Sequence, residues 1–263
     1  MTLAGFDRRD LSMLRNLFWM SLNDRFLGSS LGLIWAALSP LMLMGIFTFV
    51  FTFVFPGRLP GKEGVLPFVI WLISGYGPWL AISEGLSTAT GSVVSNSGVV
   101  KNIAFKSELL PIVGALLGLV PMFVSFLVLF ALKFASGEFP GVGLIALPLV
   151  VALHIGFISG VGLFLAALNV FVRDTALALP NVLTILLFIS PIFYPLTAYP
   201  KPLQAILQFN PLYVIAECYR VALVDGAFPP FWMLIYLALA SFGAMLFGLW
   251  WFRRLKSFFD TRL

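Results

Sequence analysis

The side chains that could perform acid–base or metal chemistry are few. The sequence has one histidine, His154, and one cysteine, Cys218, which excludes a disulfide framework and a cysteine-built metal site within the chain. Its carboxylates are isolated, apart from Asp7 and Asp10, and form no cluster for a metal ion and a diphosphate. The phosphate-loop pattern Gly-x-x-x-x-Gly-Lys-Ser/Thr and the hydrolytic patterns His-Glu-x-x-His and Gly-x-Ser-x-Gly are absent. We therefore expect no catalytic residues and no cofactor in this chain.

Two ionisable side chains lie inside long apolar segments. His154 is interpreted as a packed or hydrogen-bonding residue between helices. Glu84 is the only acid inside a predicted span, where it has either a specific role or merely reaches headgroups or a neighbouring serine. Ion-coupled transport needs intramembrane titratable groups or broken-helix ion sites. If the chain moves a substrate, its energy is therefore expected to come from another subunit.

The elements that carry these residues are apolar. Of 263 residues, 60% are hydrophobic and 10% charged, and the mean hydropathy of +1.03 excludes a water-soluble globule. A helix needs roughly 20 apolar residues to cross a bilayer. We predict an all-α integral membrane protein, one transmembrane domain over residues 1–263, with six spans at about 31–55, 65–87, 109–132, 143–169, 175–195 and 230–252.

The basic residues predict the orientation of these spans. Six spans put both termini on one side with the loops after spans two and four. That side holds Arg8, Arg9, Arg15, Arg25, Lys101, Lys106, Arg173, Arg253, Arg254, Lys256 and Arg262, against Arg58, Lys62, Lys133, Lys201 and Arg220 on the other. The positive-inside rule therefore places both termini in the cytosol. The same residues are too scattered to indicate nucleic acid binding.

Residues 7–26 are predicted to form an amphipathic helix lying on the membrane. At 100° per residue, Arg8 and Arg15 share a polar face suited to anionic lipid headgroups, and Leu14, Phe18 and Leu22 share an apolar face. The alternative is a soluble leader helix. No cleavable signal is visible, because the segment is polar and charged through Arg25.

Two further segments are not spans. Residues 91–111 are rich in Gly, Ser and Asn and form either a connecting loop or a docking surface for a cytosolic partner, with Ser107 as the expected cap of the next helix. Residues 197–225 predict two short helices, one starting near Pro202 and one capped by Asn210 with Pro211 at its first position. They form either a re-entrant gate or a peripheral amphipathic pair.

Several of these runs resemble the permease subunits of bacterial ABC exporters for O-antigen, capsule or teichoic acid. The runs are GSSLGLIWAALSPLMLMGIFTFVF (28–51), VVSNSGVVKNIAFKSELLPIV (93–113), LNVFVRDT (168–175), ISPIFYPLTAYP (189–200) and FNPLYVIAECYR (209–220). The resemblance implies an inner-membrane homodimer with two cytosolic ABC ATPase subunits, which would bind ATP and Mg. It also implies a polyprenyl-diphosphate-linked glycan as cargo.

The resemblance assigns residues to ATPase coupling and to an extracytoplasmic gate. The coupling residues, on the N-terminal helix, segment 91–108 and the Arg-Asp turn, would be Arg8, Arg15, Asn102, Lys106, Glu108, Arg173 and Asp174. The alternative for the adjacent pair Arg173 and Asp174 is that it only stops one helix and caps the next. The gate residues, within segment 197–225, would be Asn210, Pro211, Tyr213, Tyr219 and Arg220.

Aromatic side chains make up 16% of the sequence and suit this cargo, because sugar rings stack on aromatic faces and can slide along them. The candidates for lining the pathway are Phe47, Phe51, Trp71, Tyr76, Trp79, Phe188, Phe193, Tyr194 and Tyr199. The alternative is that they anchor the protein at the membrane interfaces. The alternative functions are an ABC permease for a drug or lipid and, with less support, a membrane enzyme acting on polyprenyl lipids.

Overall fold

The computed structural model describes residues 8–25, 32, 34–54, 64–102, 106–139, 141–259 and 262, and these are helical with short connections. The helices are α1 (Arg8–Asp24), α2 (Ile34–Phe49), α3 (Val65–Ser95), α4 (Ser97–Asn102), α5 (Leu109–Leu117), α6 (Leu119–Ala135), α7 (Leu147–Phe171), α8 (Asp174–Ile189), α9 (Lys201–Leu207), α10 (Pro211–Leu223) and α11 (Phe231–Lys256). A π-helical turn extends α2 through Val54, and a 3₁₀ turn, Val142–Ala146, leads into α7.

Four helical segments in the described part are long and apolar enough to cross a membrane. They are α3, the nearly continuous pair α5 and α6, α7 with its leading turn, and α11. The two apolar helices α2 and α8 have 16 residues each, which is shorter than a usual span. The chain is thus a multi-pass, all-helical membrane protein. The six-span topology stays a prediction.

Helix α3 lies at the centre of the bundle and packs against α2, α5, α6, α7, α8 and α10. Small residues allow its closest approaches. A Cβ on Gly114 of α5 would lie 2.6 Å from the Ala89 Cα atom, and one on Gly85 would lie 2.9 Å from the Ile158 side chain. The contact between α7 and α11 is similar, since a Cβ on Gly248 would lie 2.9 Å from the Gly160 carbonyl carbon. Such small-residue contacts are typical of helix packing in membranes.

Two helices end at residues other than the predicted span boundaries. Span two was expected to end near residue 87, but α3 continues to Ser95, because Ala89, Thr90 and Val93 are buried where this stretch packs closely against α5 and α7. Span five was expected to reach residue 195, but α8 ends at Ile189. Pro191 explains this end, since a proline disfavours helical backbone at the preceding residue, and Ser190 is extended with ψ 146°.

The two short helices of segment 197–225 have different environments. Most side chains of α10 are buried, and the helix packs against α3, α7 and α11. Helix α9 lies at the surface, where Leu203 and Ile206 are 47% and 69% exposed and only Leu207 is buried. A re-entrant position therefore fits α10 and a peripheral one fits α9.

Candidate functional site

A cleft of about 280 Å³ opens between α2, α3, α6 and α8, beside the end of α1. Its walls are mainly apolar and aromatic, and polar side chains from three of the helices reach into it. Among the residues that line it are Trp35, Tyr76, Trp79, Leu183, Leu187, Ser39, Ser83 and Thr184. A concave apolar surface with a few convergent polar groups is the usual form of a ligand site.

An ion pair between Arg25 and Glu84 stands at one margin of this cleft. Arg25 follows the last residue of α1, and Glu84 lies on α3. The Glu84 Oε1 atom accepts hydrogen bonds from Arg25 Nη1 and from Thr88 Oγ1, the latter at 3.0 Å. The single acid of the predicted spans therefore joins the N-terminal helix to the central helix, a role that sequence reasoning did not assign.

Three predicted pathway residues form an aromatic cluster next to the cleft. The ring of Phe47 on α2 lies 5.1 Å from that of Tyr76 on α3 and 4.6 Å from that of Phe193, which follows α8. Tyr76 and Trp79 line the cleft and are each 3% exposed, so their rings contribute mainly to the packed wall.

The other predicted pathway residues do not converge on the cleft. Phe188 and Tyr194 are 50% and 41% exposed, and the Tyr199 hydroxyl donates to the Phe188 carbonyl at 3.4 Å. Trp71 stacks on Arg220 instead. The side chain of Phe51 lies outside the described part of the chain.

The predicted coupling segment is held by both ends of the chain. Lys106 Nζ lies 2.5 Å from Asp10 Oδ2 on α1. Glu108, whose side chain is 6% exposed, lies 3.4 Å from Arg253 Nε and 3.1 Å from Lys256 Nζ at the end of α11. These contacts bring α1, the start of α5 and the end of α11 together at one end of the bundle, which we call the charged end.

Burial by itself would raise the pKa of the Glu108 carboxyl. The hydrogen bonds from its own backbone amide and from Lys256, with the charges of Lys256 and Arg253, outweigh burial, so the pKa lies below its ordinary value. Glu108 is therefore a carboxylate at neutral pH.

Ser107 was expected to cap the helix that follows, and this is wrong. The cap position of α5 is Glu108, whose backbone is already helical, and its side chain makes no capping hydrogen bond. The Ser107 Oγ atom is buried without a hydrogen-bond partner among the described residues. Helical backbone at the cap position prevents the extended geometry that a capping side chain needs.

The remaining coupling candidates lie apart from this cluster. Arg15 is exposed on α1, and Arg173 and Asp174 are exposed at the turn before α8, where Arg173 makes no capping hydrogen bond. Asn169 orders this turn instead, because its Oδ1 accepts from the Ala176 amide at 3.2 Å and its Nδ2 donates to the Thr90 carbonyl at 3.1 Å. The side chains of Arg8 and Asn102 lie outside the described part.

The predicted start of the second short helix is confirmed. Pro211 occupies the first position of α10, and the Asn210 side chain accepts a hydrogen bond from the Leu212 amide at 2.9 Å. The same side chain donates to Ser190 Oγ at 2.9 Å, which connects the start of α10 to the end of α8.

Arg220 holds the middle of α10 from inside the bundle. It is 2% exposed, donates to the Pro191 and Ile192 carbonyls, and pairs with Glu217 at 3.2 Å. Its Cζ atom lies 3.9 Å from the centre of the Trp71 ring on α3. The guanidinium of α10 thus binds the segment after α8 through its N–H groups and stacks on Trp71 of α3 through its flat face.

Two more buried polar contacts hold α10. The Tyr219 hydroxyl oxygen lies 3.3 Å from His154 Nδ1 on α7, which agrees with the interpretation of His154 as a hydrogen-bonding residue between helices. Lys133 is 3% exposed and donates to the Leu223 and Val224 carbonyls at 2.9 and 3.2 Å. A cation at the carboxyl end of a helix satisfies carbonyls that lack intrahelical donors. Tyr213, on the same helix, is buried.

Sequence reasoning missed Asp10, Arg25, Lys133 and Asn169 as site residues. Lys133 gave one signal, since a lysine at the end of an apolar helix must reach solvent or a partner. The partners of Asp10 and Arg25 are far away in sequence, and no local pattern indicates them. Among the described residues, no group of three or more His, Cys, Asp or Glu could hold a metal ion.

Comparison with known proteins gives consistent results. The family model described as ABC-2 type transporter matches residues 13–224. The O-antigen export system permease protein RfbA of Myxococcus xanthus is 25% identical over 231 residues, which is 87% of this chain and 86% of that protein. A polysialic acid transport protein KpsM of Escherichia coli is 28% identical over 254 residues, 95% of each chain. An RfbA of Klebsiella pneumoniae is 23% identical over 206 residues, 78% of this chain and 77% of that protein.

Proposed function

This chain belongs to the ABC-2 type transporter family of membrane subunits, and we propose that it is the permease of an exporter that moves a lipid-linked polysaccharide of O-antigen type across the bacterial inner membrane. The observation that carries this proposal is the similarity to relatives named for O-antigen and polysialic acid export, which extends over 78–95% of the chain. It is a transporter subunit rather than an enzyme.

The working assembly is a homodimer with two cytosolic ATPase subunits that bind ATP and Mg. The lack of a phosphate loop supports a separate source of energy. Both termini face the cytosol on six spans, so the charged end meets the ATPases. The ion pairs Asp10–Lys106 and Glu108–Lys256 support ATPase docking at the charged end. They connect residues 106–108 to α1 and α11, so a displacement of these residues by the ATPases would also move the two helices.

The glycan moves along the cleft and then past α10. The cleft supports this route because aromatic walls tolerate the sliding of successive sugar rings, which a set of specific hydrogen bonds would oppose. Buried α10, held by Arg220 and Lys133, acts as the extracytoplasmic gate in the absence of polymer.

Co-expression of the tagged chain with a candidate ABC ATPase subunit from the same organism tests the proposal. We expect the two to co-purify, and deletion of the chain to leave undecorated cells with lipid-linked polymer accumulating on the cytosolic face of the inner membrane. Restoration by the chain only when its ATPase hydrolyses ATP would support the proposal. Normal surface polymer in the deletion strain, or export with a hydrolysis-deficient ATPase, would contradict it.

A further inference from the structure

The cleft combines two chemistries that suit an amphiphilic ligand. Its walls are built from apolar and aromatic side chains of α2, α3 and α8, and the charged pair Arg25–Glu84 stands at one margin. A ligand that fills it therefore needs an apolar part and, next to it, a group that can interact with a guanidinium.

The ion pair is accessible to such a ligand. The side chains of Arg25 and Glu84 are 44% and 28% exposed, so neither is locked in the core. Glu84 Oε1 also accepts from Thr88 Oγ1 at 3.0 Å, one helical turn along α3. The carboxylate therefore keeps a hydrogen bond on its own helix when the guanidinium turns to another anion.

We propose that Arg25 is a diphosphate-binding residue and that Glu84 occupies its guanidinium while no ligand is bound. The ligand is a prenyl diphosphate, whose diphosphate replaces the Glu84 carboxylate on Arg25 and whose first prenyl units lie in the cleft. This site rests on the proposed function for the identity of the lipid carrier. Guanidinium groups bind phosphate oxygens through two parallel hydrogen bonds, and a diphosphate carries more negative charge than a carboxylate.

If a diphosphate replaces the Glu84 carboxylate on Arg25, the variants Arg25→Ala and Glu84→Gln should change the diphosphate affinity in opposite directions. Arg25→Ala removes the anion-binding group, so we expect diphosphate affinity to fall about tenfold or more. Glu84→Gln removes the competing carboxylate and its repulsion of the diphosphate, so we expect affinity to rise several-fold. In the double variant the part of this gain that comes from freeing Arg25 disappears, so Glu84→Gln raises the affinity less than it does in the presence of Arg25.

Isothermal titration of farnesyl diphosphate into the full chain in phosphatidylcholine nanodiscs measures these effects. Farnesol and inorganic pyrophosphate, titrated separately, test the tail and the head alone, and phosphatidylglycerol in the nanodisc tests competition by any anionic lipid. Arg9→Ala is the matched control, since it removes an exposed arginine of α1 away from the cleft. Ala36→Trp fills the cleft wall without changing a charge, and melting temperatures verify that each variant is folded.

The expected result is farnesyl diphosphate binding that weakens with Arg25→Ala and Ala36→Trp, strengthens with Glu84→Gln and is unchanged by Arg9→Ala. Equal binding of pyrophosphate, or equal competition by phosphatidylglycerol, would overturn the site in favour of a general anion surface. Unchanged affinity in folded Arg25→Ala would also overturn it. If that variant still exports polymer with its ATPase, the site is wrong and the proposed function stands.

Discussion

Replacement of Arg220 by methionine should destabilise the protein strongly, because the buried guanidinium joins α10 to Trp71 and to the segment after α8. Methionine keeps much of the length but leaves the buried Pro191 and Ile192 carbonyls without these donors, at about 1–3 kcal/mol each. The cation–π contact adds about 1–2 kcal/mol. Removal of the cost of burying the charge offsets part of this, so we expect a loss of about 3 kcal/mol in the free energy of unfolding.

A second variant perturbs the same contact without changing its charge. A Cβ on Gly75 of α3 would lie 2.8 Å from Arg220 Cζ, so Gly75→Ala must displace the guanidinium. Gly91→Ala is the matched control on the same helix, because the nearest atom to its Cβ, Ser95 Oγ, is 3.9 Å away. We expect the control to be neutral or to stabilise by about 0.5–1 kcal/mol, as alanine does in helices.

Thermal unfolding of the purified chain in detergent measures both effects. A loss of about 3 kcal/mol corresponds to a melting temperature lower by roughly 6–12 °C in a chain of this size. Arg220→Lys should lie between the wild type and Arg220→Met, since it keeps the charge and loses the planar fork. The reasoning is refuted if Arg220→Met melts with the wild type, or if Gly75→Ala and Gly91→Ala melt together.

Three further results are expected. Glu108→Gln removes the ion pairs with Arg253 and Lys256 and should lower the melting temperature at pH 7. The loss should be equivalent to only about 1–2 kcal/mol, because the side chains of Arg253 and Lys256 are partly exposed to solvent. Because the pKa of Glu108 is lowered in the folded protein, the difference in melting temperature between the wild type and Glu108→Gln should shrink as the pH falls below about 4.5 and vanish below the folded pKa. A difference that does not change with pH would contradict a stabilising role of the ion pairs. Lys106→Glu should weaken ATPase co-purification, and adding Asp10→Lys should restore it, because the double variant re-forms the ion pair with its charges swapped. If the double variant does not restore co-purification, this ion pair is not required for ATPase docking. Tyr194→Ala should shorten or slow the exported polymer more than Phe258→Ala does, although both rings are exposed, and equal export rates would identify Tyr194 as an interface anchor.

The helical membrane fold and most of its elements could be predicted from the sequence. Long uncharged runs predict apolar helices without knowledge of their partners, and Asn210 followed by Pro211 is a local signal that predicts a helix start. The end of α3 could not be predicted in the same way. Its Gly, Ser and Thr residues suggest a break, but Gly85 and Ala89 allow α5 and α7 to approach closely, so tertiary packing overrides local propensity.

The candidate site was only partly predictable, because its key contacts join distant residues. Arg25 and Glu84 are 59 positions apart, and Glu108 and Lys256 are 148 apart. The aromatic prediction named a class of side chain but could not sort its members by their position in the fold. Tyr76 and Trp79 line the cleft while Trp71 stacks on Arg220, and this difference depends on helix rotation. Phe252 lies at the end of the last predicted span, where no local pattern indicates burial, yet it is fully buried against Phe259.

Reconstituted transport tests the central claim most directly. The chain and its ATPase would be placed together in proteoliposomes that contain the lipid-linked polymer, and the arrival of polymer on the side opposite to the ATPase would be measured with a lectin or antibody. The account predicts translocation that requires both subunits and hydrolysable MgATP and that stops without either. Translocation by the chain alone, or an assembled ATP-hydrolysing complex that moves no glycan, would contradict it.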